Sequence, residues 1–141
     1  MKQLLLIVFL GFTGLAFAQT GSIAITITSF KNNSGTAKIA LYNNAEAYPT
    51  EGEKAYRTAT VVIQNKTATA TFNNLPYGQY AVAVYHDENG NNELDSNWMG
   101  IPNEGLGASN DAKGHFGPPK FEDAKVNLNS AKLAISIKIG Y

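Results

Sequence analysis

Hydrophobic and polar residues alternate along several short segments of this chain, a pattern typical of half-buried β-strands. Between residues 22 and 30, for example, Ile23, Ile25 and Ile27 alternate with alanine and threonine. Together with segments rich in threonine and valine, this pattern predicts strands at 22–30, 36–42, 58–64, 67–72, 81–85, 124–129 and 132–139. About seven short strands separated by turn residues, with no long helical pattern, predict an all-β fold, an antiparallel Greek-key β-sandwich.

Turn signals between these segments predict how the strands pair. We expect the first two strands to form a hairpin through the turn at 31–35, and the third and fourth to pair through Asn65 and Lys66. The last two strands are expected to form a closing hairpin. Tyr80 follows the turn made by Pro76 and Gly78, and we expect its ring to be buried and its hydroxyl to bond back to that turn.

The connection from residue 86 to residue 121 is far longer than is usual between strands, which marks it as functional or disordered. Its glycines permit sharp bends, and it carries several large apolar side chains. We therefore expect an ordered, Ω-like cap that packs on the end of the sandwich. The side chains expected to anchor this cap are Trp98, Met99, Ile101, Leu106, Phe116 and Phe121.

The N-terminus carries the features of a secretory signal peptide. Lys2 provides a short basic region, the run from 4 to 17 is apolar, and the segment ends in Ala16-Phe17-Ala18. We predict cleavage after Ala18, leaving one β-sandwich domain at 19–141. The protein is accordingly expected to be secreted, either periplasmic or on the cell surface, with no membrane span once the signal is removed.

Composition limits the classes of partner. The chain has no cysteine, so an exported domain must be stabilised by its core and by any bound metal. Eleven acidic residues balance eleven basic ones, and loss of Lys2 with the signal leaves the total near neutral. A near-neutral chain offers no electrostatic footprint for nucleic acid or for an anionic membrane face, and we expect no nucleic acid as a partner.

The long connection opens with a calcium-loop register. Asp87, Asn89, Asn91 and Asp95 occupy positions 1, 3, 5 and 9 of such a loop, and Glu93 occupies position 7, which contributes its backbone carbonyl. Side-chain oxygens at alternate positions of a tight loop can converge on one hard cation. The sequence therefore predicts a calcium site formed by these five residues.

The match to a calcium loop is incomplete. Asn92 stands at position 6, where glycine is usual, and Trp98 stands at position 12, where a bidentate glutamate is usual. A complete site would need another carboxylate. The nearest downstream candidates are Glu104, Asp111, Glu122 and Asp123. The alternative is a turn held only by asparagine and aspartate side chains that bond to their own backbone.

Four blocks in order carry a resemblance to a known family. They are Asn74-Leu75-Pro76-x-Gly78-x-Tyr80-Ala81-Val82-x-Val84, His86-Asp87-x-Asn89-x-Asn91-x-x-Leu94-Asp95, Gly100-Ile101-Pro102-x-Glu104-Gly105-x-Gly107-x-Ser109-Asn110 and Phe116-Gly117-Pro118-Pro119-x-Phe121-x-x-Ala124. With these blocks the chain resembles a bacterial secreted domain-of-unknown-function family (DUF2141). The resemblance implies an immunoglobulin-like or prealbumin-like sandwich, similar to carboxypeptidase regulatory-like domains, and brings no activity with it. Asn92, where the family usually has glycine, and Ala108, where it usually has an aromatic residue, depart from its pattern.

Catalytic patterns are weak. His86, Asp87 and Ser109 are the residue types of a hydrolytic triad, but the chain has no Gly-x-Ser-x-Gly nucleophile elbow. The two histidines, His86 and His115, do not form a zinc-binding spacing. We therefore expect a non-enzymatic protein and keep a hydrolase as a lesser alternative.

Aromatic residues suggest a second kind of site. Trp98, Tyr77, Tyr48 and Phe116 could form a platform for a sugar, braced by the calcium loop. A solvent-facing Trp98 would favour binding, and a buried one would favour the cap. The sequence thus predicts an exported module with a structural or binding role in the cell envelope, its partner an unidentified protein or glycan, with carbohydrate binding as the alternative.

Overall fold

The computed structural model describes residues 14–141, which form two packed β-sheets. The prediction of an all-β sandwich is confirmed. A single-turn helix, α1, occupies Phe121–Ala124, and short 3₁₀ turns occupy Gly52–Lys54 and Ser109–Asp111. The strands are β1 Thr20–Thr28, β2 Thr36–Tyr42, β3 Arg57–Val62, β4 Ala68–Pro76, β5 Gly78–Asp87, β6 Leu106–Ala108, β7 Val126–Leu128 and β8 Lys132–Lys138.

All seven predicted strands are present, but two of the three predicted hairpins are wrong. β1 does not pair with β2; it lies between β4 and β8 in a three-stranded sheet. β7 and β8 also do not pair with each other, because β7 joins β5 and β8 joins β1. The β1–β8 pairing is parallel, so the sandwich is not antiparallel throughout.

The third predicted hairpin is correct only at its turn. Gln64 and Thr67 exchange backbone hydrogen bonds of 2.9 and 3.0 Å, and both residues between them, Asn65 and Lys66, have positive φ. That geometry matches a two-residue hairpin turn. The chain nevertheless changes sheets here, since β3 is an edge strand of the second sheet and β4 an edge strand of the first.

The second sheet has the order β3-β2-β5-β6, with β7 also paired to β5. β5 is its central strand, bonded along one edge to β2 and along the other to β6 and β7. β6 was not predicted, because its three residues lie inside the long connection. β5 is also longer than predicted and ends at Asp87, which places the start of the candidate calcium loop at the end of a buried strand.

The core lies between the sheets and follows the predicted alternation. Ile23, Ile25 and Ile27 of β1 are fully buried against the inward side chains of β2 and β5. Burial of each such side chain contributes about 1.5–3 kcal/mol relative to exposure. The prediction for Tyr80 is confirmed: its ring is buried and its hydroxyl donates a 2.7 Å hydrogen bond to the carbonyl of Pro76.

A second apolar cluster anchors the C-terminal part of the long connection. Tyr48 packs edge-on against Tyr42 and Phe121, with ring centroids 5.3 and 5.9 Å apart. Burial raises the pKa of the Tyr48 phenol to about 12, because the phenolate would lose its hydration. Phe121 is the first residue of α1, so this cluster fixes the single-turn helix against the sheet.

The expectation of an apolar cap over residues 86–121 is wrong. Phe121 alone among the six expected anchors is buried, whereas Trp98, Met99, Ile101, Leu106 and Phe116 are all exposed. The connection is held instead by β6 and by hydrogen bonds from polar side chains. Its order therefore comes from Asn, Asp, Ser and Glu, and its apolar side chains are left facing solvent.

Most of the predicted signal peptide lies outside the described residues. Residues 14–19 precede β1 without regular structure, and their side chains are exposed. Across residues 14–141, the structure contains no helix with the length and apolar character needed to cross a membrane.

Candidate metal-binding loop

Asp87 is held at the end of β5 by the neighbouring strand. Its backbone lies opposite Thr36 of β2, and Gly35 approaches so closely that an added Cβ would lie 1.9 Å from the Asp87 carbonyl oxygen. Gly35 also has a φ of +65°, which favours glycine. As a result the whole Asp87 residue is buried, although it is an aspartate.

From Asp87 onward the chain folds into successive side-chain-to-backbone turns. Asp87 Oδ2 accepts the Asn92 N–H at 3.0 Å, Asn89 Oδ1 accepts the Asn91 N–H at 3.1 Å, and Asn91 Oδ1 accepts the Glu93 N–H at 3.0 Å. Carboxylate and amide oxygens have a second lone-pair direction that remains available after one such bond. The side chains of Asp87, Asn89 and Asn91 are therefore held against the backbone of the loop itself.

Asn92 adopts the conformation that position 6 of a calcium loop requires. Its φ is +64°, in the left-handed region that glycine normally supplies at this point. Asparagine is among the residues that tolerate this region best. The departure from the expected glycine thus leaves the path of the loop intact.

The Asp95 carboxylate joins the two asparagines. Its Oδ2 lies 2.6 Å from Asn89 Nδ2, and its Oδ1 lies 2.9 Å from Asn91 Nδ2. The side chains at positions 3, 5 and 9 of the predicted register therefore meet at one place. The structure thus brings together three of the five residues that the sequence pattern selected, with both amide NH₂ groups donating to the Asp95 carboxylate.

Glu104 closes the loop. This buried carboxylate accepts the Glu88 N–H through Oε1 at 3.0 Å and the Asp95 N–H through Oε2 at 3.1 Å. Among the four downstream candidates it alone bonds to this loop: Asp111 accepts the Lys138 N–H, Glu122 pairs with Lys125, and Asp123 is exposed. Glu104 is therefore the acid that ties both ends of segment 88–95 together.

One oxygen of this loop has no protein partner. Asp87 Oδ1 is buried and accepts no hydrogen bond from any residue of 14–141. Lys38 Nζ is 3.9 Å from the other oxygen, Oδ2, and donates to Asn92 Oδ1 at 2.5 Å. A buried carboxylate oxygen without a donor costs free energy, on the order of 1–3 kcal/mol, unless a cation or another donor reaches it.

The donor set suits a hard cation with oxygen ligands. Two carboxylates, two amides and a backbone carbonyl are the ligand types that Ca²⁺ takes. Within the described residues no three His, Cys, Asp or Glu side chains are grouped to hold a metal. Calcium loops draw much of their coordination from amide and carbonyl oxygens, which are not among those residue types.

The rim of the loop carries a separate ion pair. Glu88 lies 2.7 Å from Lys31 Nζ and accepts a 2.8 Å hydrogen bond from Asn32 Nδ2. The bond from Lys31, followed by that from Asn32, lowers the pKa of Glu88. Glu88 therefore attaches the loop to the β1–β2 turn.

An open depression of about 570 Å³ lies beside the loop. Its lining is polar and acidic, and includes Glu104 and Asp95 from the loop closure just described. The lining residues are Glu88, Asn89, Asp95, Ser96, Asn103 and Glu104. Solvent can therefore reach the loop from this side.

The predicted aromatic platform is not assembled. Trp98 is 92% exposed, but it follows the Asp87 end of β5, whereas Tyr77 directly precedes the other end. Ten strand residues span roughly 34 Å. β6 runs antiparallel to β5, so the chain moves away from the Asp87 end of β5 before it reaches Phe116. Tyr48 is buried and cannot form part of an exposed platform.

The residue types of a hydrolytic triad are engaged elsewhere. The buried His86 ring has Nδ1 2.7 Å from the Tyr141 hydroxyl and Nε2 2.6 Å from the Ser34 carbonyl. Ser109 Oγ accepts the Val82 N–H and donates to the Ala124 carbonyl. Ser109 is therefore part of the link between β5 and α1, and it makes no hydrogen bond to His86.

Two contributors to the site were missed from the sequence. Lys38 lies on β2, and Tyr141 lies beyond the end of β8. Lys38 reaches the loop because β2 pairs with β5 in a register that places it opposite Tyr85, two residues before Asp87. A sequence pattern within the loop carries no signal for either residue, since both lie far from the loop along the chain.

Comparison with known proteins agrees with the resemblance. No curated protein and no solved structure matches this chain. A family model described as "Uncharacterized protein conserved in bacteria (DUF2141)" matches residues 25–136, which include every strand from β2 to β7, the second half of β1 and most of β8. The chain belongs to the DUF2141 family of bacterial proteins.

Proposed function

We propose that this protein is an exported, non-enzymatic module of the cell envelope whose loop 87–95 binds calcium. Asp87, Asn89, Asn91 and Asp95 supply side-chain oxygens, and Glu93 supplies its backbone carbonyl. Glu104 holds the loop closed from the outside. The bound ion stabilises the loop and so presents the segment beyond it in one conformation.

The observation that carries this proposal is the buried, unpartnered Asp87 Oδ1. The other oxygen of the same carboxylate accepts the N–H of Asn92, so the group faces into the loop and not into the apolar core. A turn held only by its own hydrogen bonds would have no reason to bury this oxygen without a donor. A cation bound to Asp87 Oδ1 would offset the free-energy cost of burying that oxygen without a donor.

A thermal melt of residues 19–141 in calcium, in magnesium and in chelator tests the proposal. A ligand that binds only the folded state stabilises it by about 2.7 kcal/mol at a hundredfold its dissociation constant. We expect calcium to raise the melting temperature and magnesium to have less effect, because Mg²⁺ demands a tighter octahedral shell.

Matched variants locate the ion. Asp87→Asn should abolish the calcium response, because the amide replaces the charged, unpartnered oxygen. Asp123→Asn is the control, since Asp123 is an exposed aspartate outside the loop. An absent calcium response in the unmodified protein, or an undiminished one in Asp87→Asn, would refute the proposal.

The exposed Trp98 favours a binding role over a purely structural one. Large apolar side chains left in solvent commonly mark interaction sites. Carbohydrate binding is the second candidate for this role, supported by Trp98 alone because Tyr77 and Phe116 lie elsewhere. A glycan that quenches or shifts Trp98 fluorescence would support it.

Export is testable independently of calcium. The N-terminal signal pattern predicts that the chain begins at Gln19 after processing. Mass spectrometry of the protein recovered from the periplasm or medium of an expressing bacterium should show that N-terminus. Recovery of the unprocessed chain only from the cytoplasm would overturn the assignment.

A further inference from the structure

The segment 96–102 forms a tight, pinned turn. The Asn97 N–H donates to the Ile101 carbonyl at 2.8 Å, and the Gly100 N–H donates to the Asn97 carbonyl at 2.9 Å. Asn97 Oδ1 also accepts the N–H groups of Met99 and Ile101, at 2.9 and 3.0 Å. The backbone of the turn is therefore held from within by a single asparagine.

This turn presents its apolar side chains to solvent. Trp98 is 92% exposed, Met99 58% and Ile101 52%. We call these three side chains the apolar tip. Several hydrogen bonds fix the shape of the turn, yet much of its apolar surface stays exposed. An ordered, exposed apolar surface indicates a binding site for another molecule.

The apolar tip is connected directly to the candidate calcium loop. Asp95 is at once a loop acid and a support of the turn, because its carbonyl accepts the Asn103 N–H at 2.9 Å. Ser96 and Asn103, at the base of the turn, also line the open depression beside Glu104. The base of the turn therefore adjoins the open side of the loop.

We propose that the apolar tip inserts into the headgroup region of an anionic phospholipid bilayer, in a calcium-dependent manner. Lipid phosphate oxygens reach the bound ion through the open depression. This inference rests on the calcium site proposed above. Without the ion, the acids of the loop, such as Glu93 and Asp95, repel an anionic surface, whereas the bound ion offsets most of that negative charge and offers a ligand position to lipid phosphate.

The shape and chemistry of the tip favour a bilayer over other occupants. A convex turn offers no groove for a peptide and no flat aromatic platform for a sugar. A fluid lipid interface can envelop a convex tip, and tryptophan is enriched at that interface because its ring is apolar while its N–H is polar. Methionine and isoleucine beside it extend the apolar surface that would be buried.

Trp98 is the sole tryptophan of the chain, so its fluorescence reports the tip directly. The test uses residues 19–141 with vesicles of phosphatidylcholine mixed with phosphatidylglycerol. In calcium we expect a blue shift of the Trp98 emission and co-sedimentation of the protein with the vesicles. Chelator should reverse both effects.

Variants separate insertion from non-specific adsorption. Ile101→Ser keeps the reporter and should weaken vesicle binding on the order of tenfold, the effect of losing one buried apolar side chain. Phe116→Ser is the control, because Phe116 is an even more exposed apolar side chain that lies outside the tip. Equal effects of the two substitutions would overturn the assignment to the tip.

The outcomes distinguish this inference from the calcium proposal. A calcium-dependent rise in melting temperature without vesicle binding overturns the lipid inference and leaves the calcium site standing. Vesicle binding that persists in chelator overturns the calcium link. A shift of the Trp98 emission with soluble glycans but not with vesicles overturns the inference of bilayer insertion and favours carbohydrate binding.

Discussion

The hydroxyl of Tyr141 lies 2.7 Å from His86 Nδ1, so the last residue of the chain bonds to the residue that precedes Asp87. The other ring nitrogen of His86 lies 2.6 Å from the Ser34 carbonyl, which can only accept. In a neutral imidazole Nε2 is then the donor, and Nδ1 accepts the tyrosine proton. Tyr141 in turn accepts the backbone N–H of Lys31. A buried histidine thus joins the C-terminus to the β1–β2 turn.

Replacing Tyr141 with phenylalanine should destabilise the protein. The substitution leaves Nδ1 of the buried His86 without a donor, which costs about 1–3 kcal/mol of unfolding free energy. Urea denaturation of both proteins measures the difference. Tyr56→Phe serves as the control, because Tyr56 is 39% exposed and its hydroxyl can bond to water. If Tyr141→Phe were as stable as the control, the bond to His86 would contribute nothing.

Gly35 and Gly90 provide a matched pair of substitutions. Both have positive φ, at +65° and +73°, so alanine at either position carries the left-handed penalty of about 1–2 kcal/mol. Only at Gly35 would the new Cβ collide with backbone, that of Asp87, whereas Gly90 faces open space. We expect Gly90→Ala to lose about 1 kcal/mol of unfolding free energy and Gly35→Ala at least 3 kcal/mol. Equal losses in denaturant titrations would mean that the close approach of Gly35 to Asp87 is unimportant.

Glu104 should control the local stability of the candidate calcium loop. In the unmodified protein each carboxylate oxygen of Glu104 accepts one backbone N–H, that of Glu88 or that of Asp95. Glu104→Gln replaces one of these oxygens with an NH₂ group, which cannot accept, so one of the two N–H groups loses its hydrogen bond. A hydrogen bond to a charged group is worth about 1.5–3 kcal/mol, so exchange of the affected amide protons should accelerate roughly ten- to a hundredfold. Hydrogen exchange followed by NMR measures this, with the surface residue change Glu122→Gln as the control. Unchanged protection at both amides would contradict the role assigned to Glu104.

The strands and the inward face of β1 were predictable from sequence because they depend on local alternation. Which strands pair was not predictable in the same way. The turn at Asn65 and Lys66 has the local geometry of a hairpin, but the strands on either side of it enter different sheets. Sheet membership depends on contacts between distant segments, such as the parallel pairing of β1 with β8, and these leave no local signal.

In the candidate site, too, the features set by local sequence were predictable and those set by the direction of the backbone were not. Asn89, Asn91 and Asp95 were identified correctly as neighbours because short-range turns fix their relative positions. The expected apolar cap failed because hydrophobicity alone does not say whether a side chain packs on its own sheet or faces outward. Trp98 lies on a turn pinned by Asn97, and the backbone hydrogen bonds of that turn decide its direction.

Acidification should reveal the ion pair at the rim of the loop. The bonds from Lys31 and Asn32 lower the pKa of Glu88 below its usual value of 4.5, so the unfolded chain binds a proton that the folded protein does not between those two pKa values. The unfolding free energy contributed by Glu88 is therefore fully present above about pH 4.5 and is lost as the pH falls through the lower, folded-state pKa. In chelator, Glu88→Gln should flatten this part of the pH profile, whereas Glu46→Gln, on the exposed β2–β3 connection, should not. A profile of Glu88→Gln parallel to that of the unmodified protein would show that Glu88 is not paired in solution.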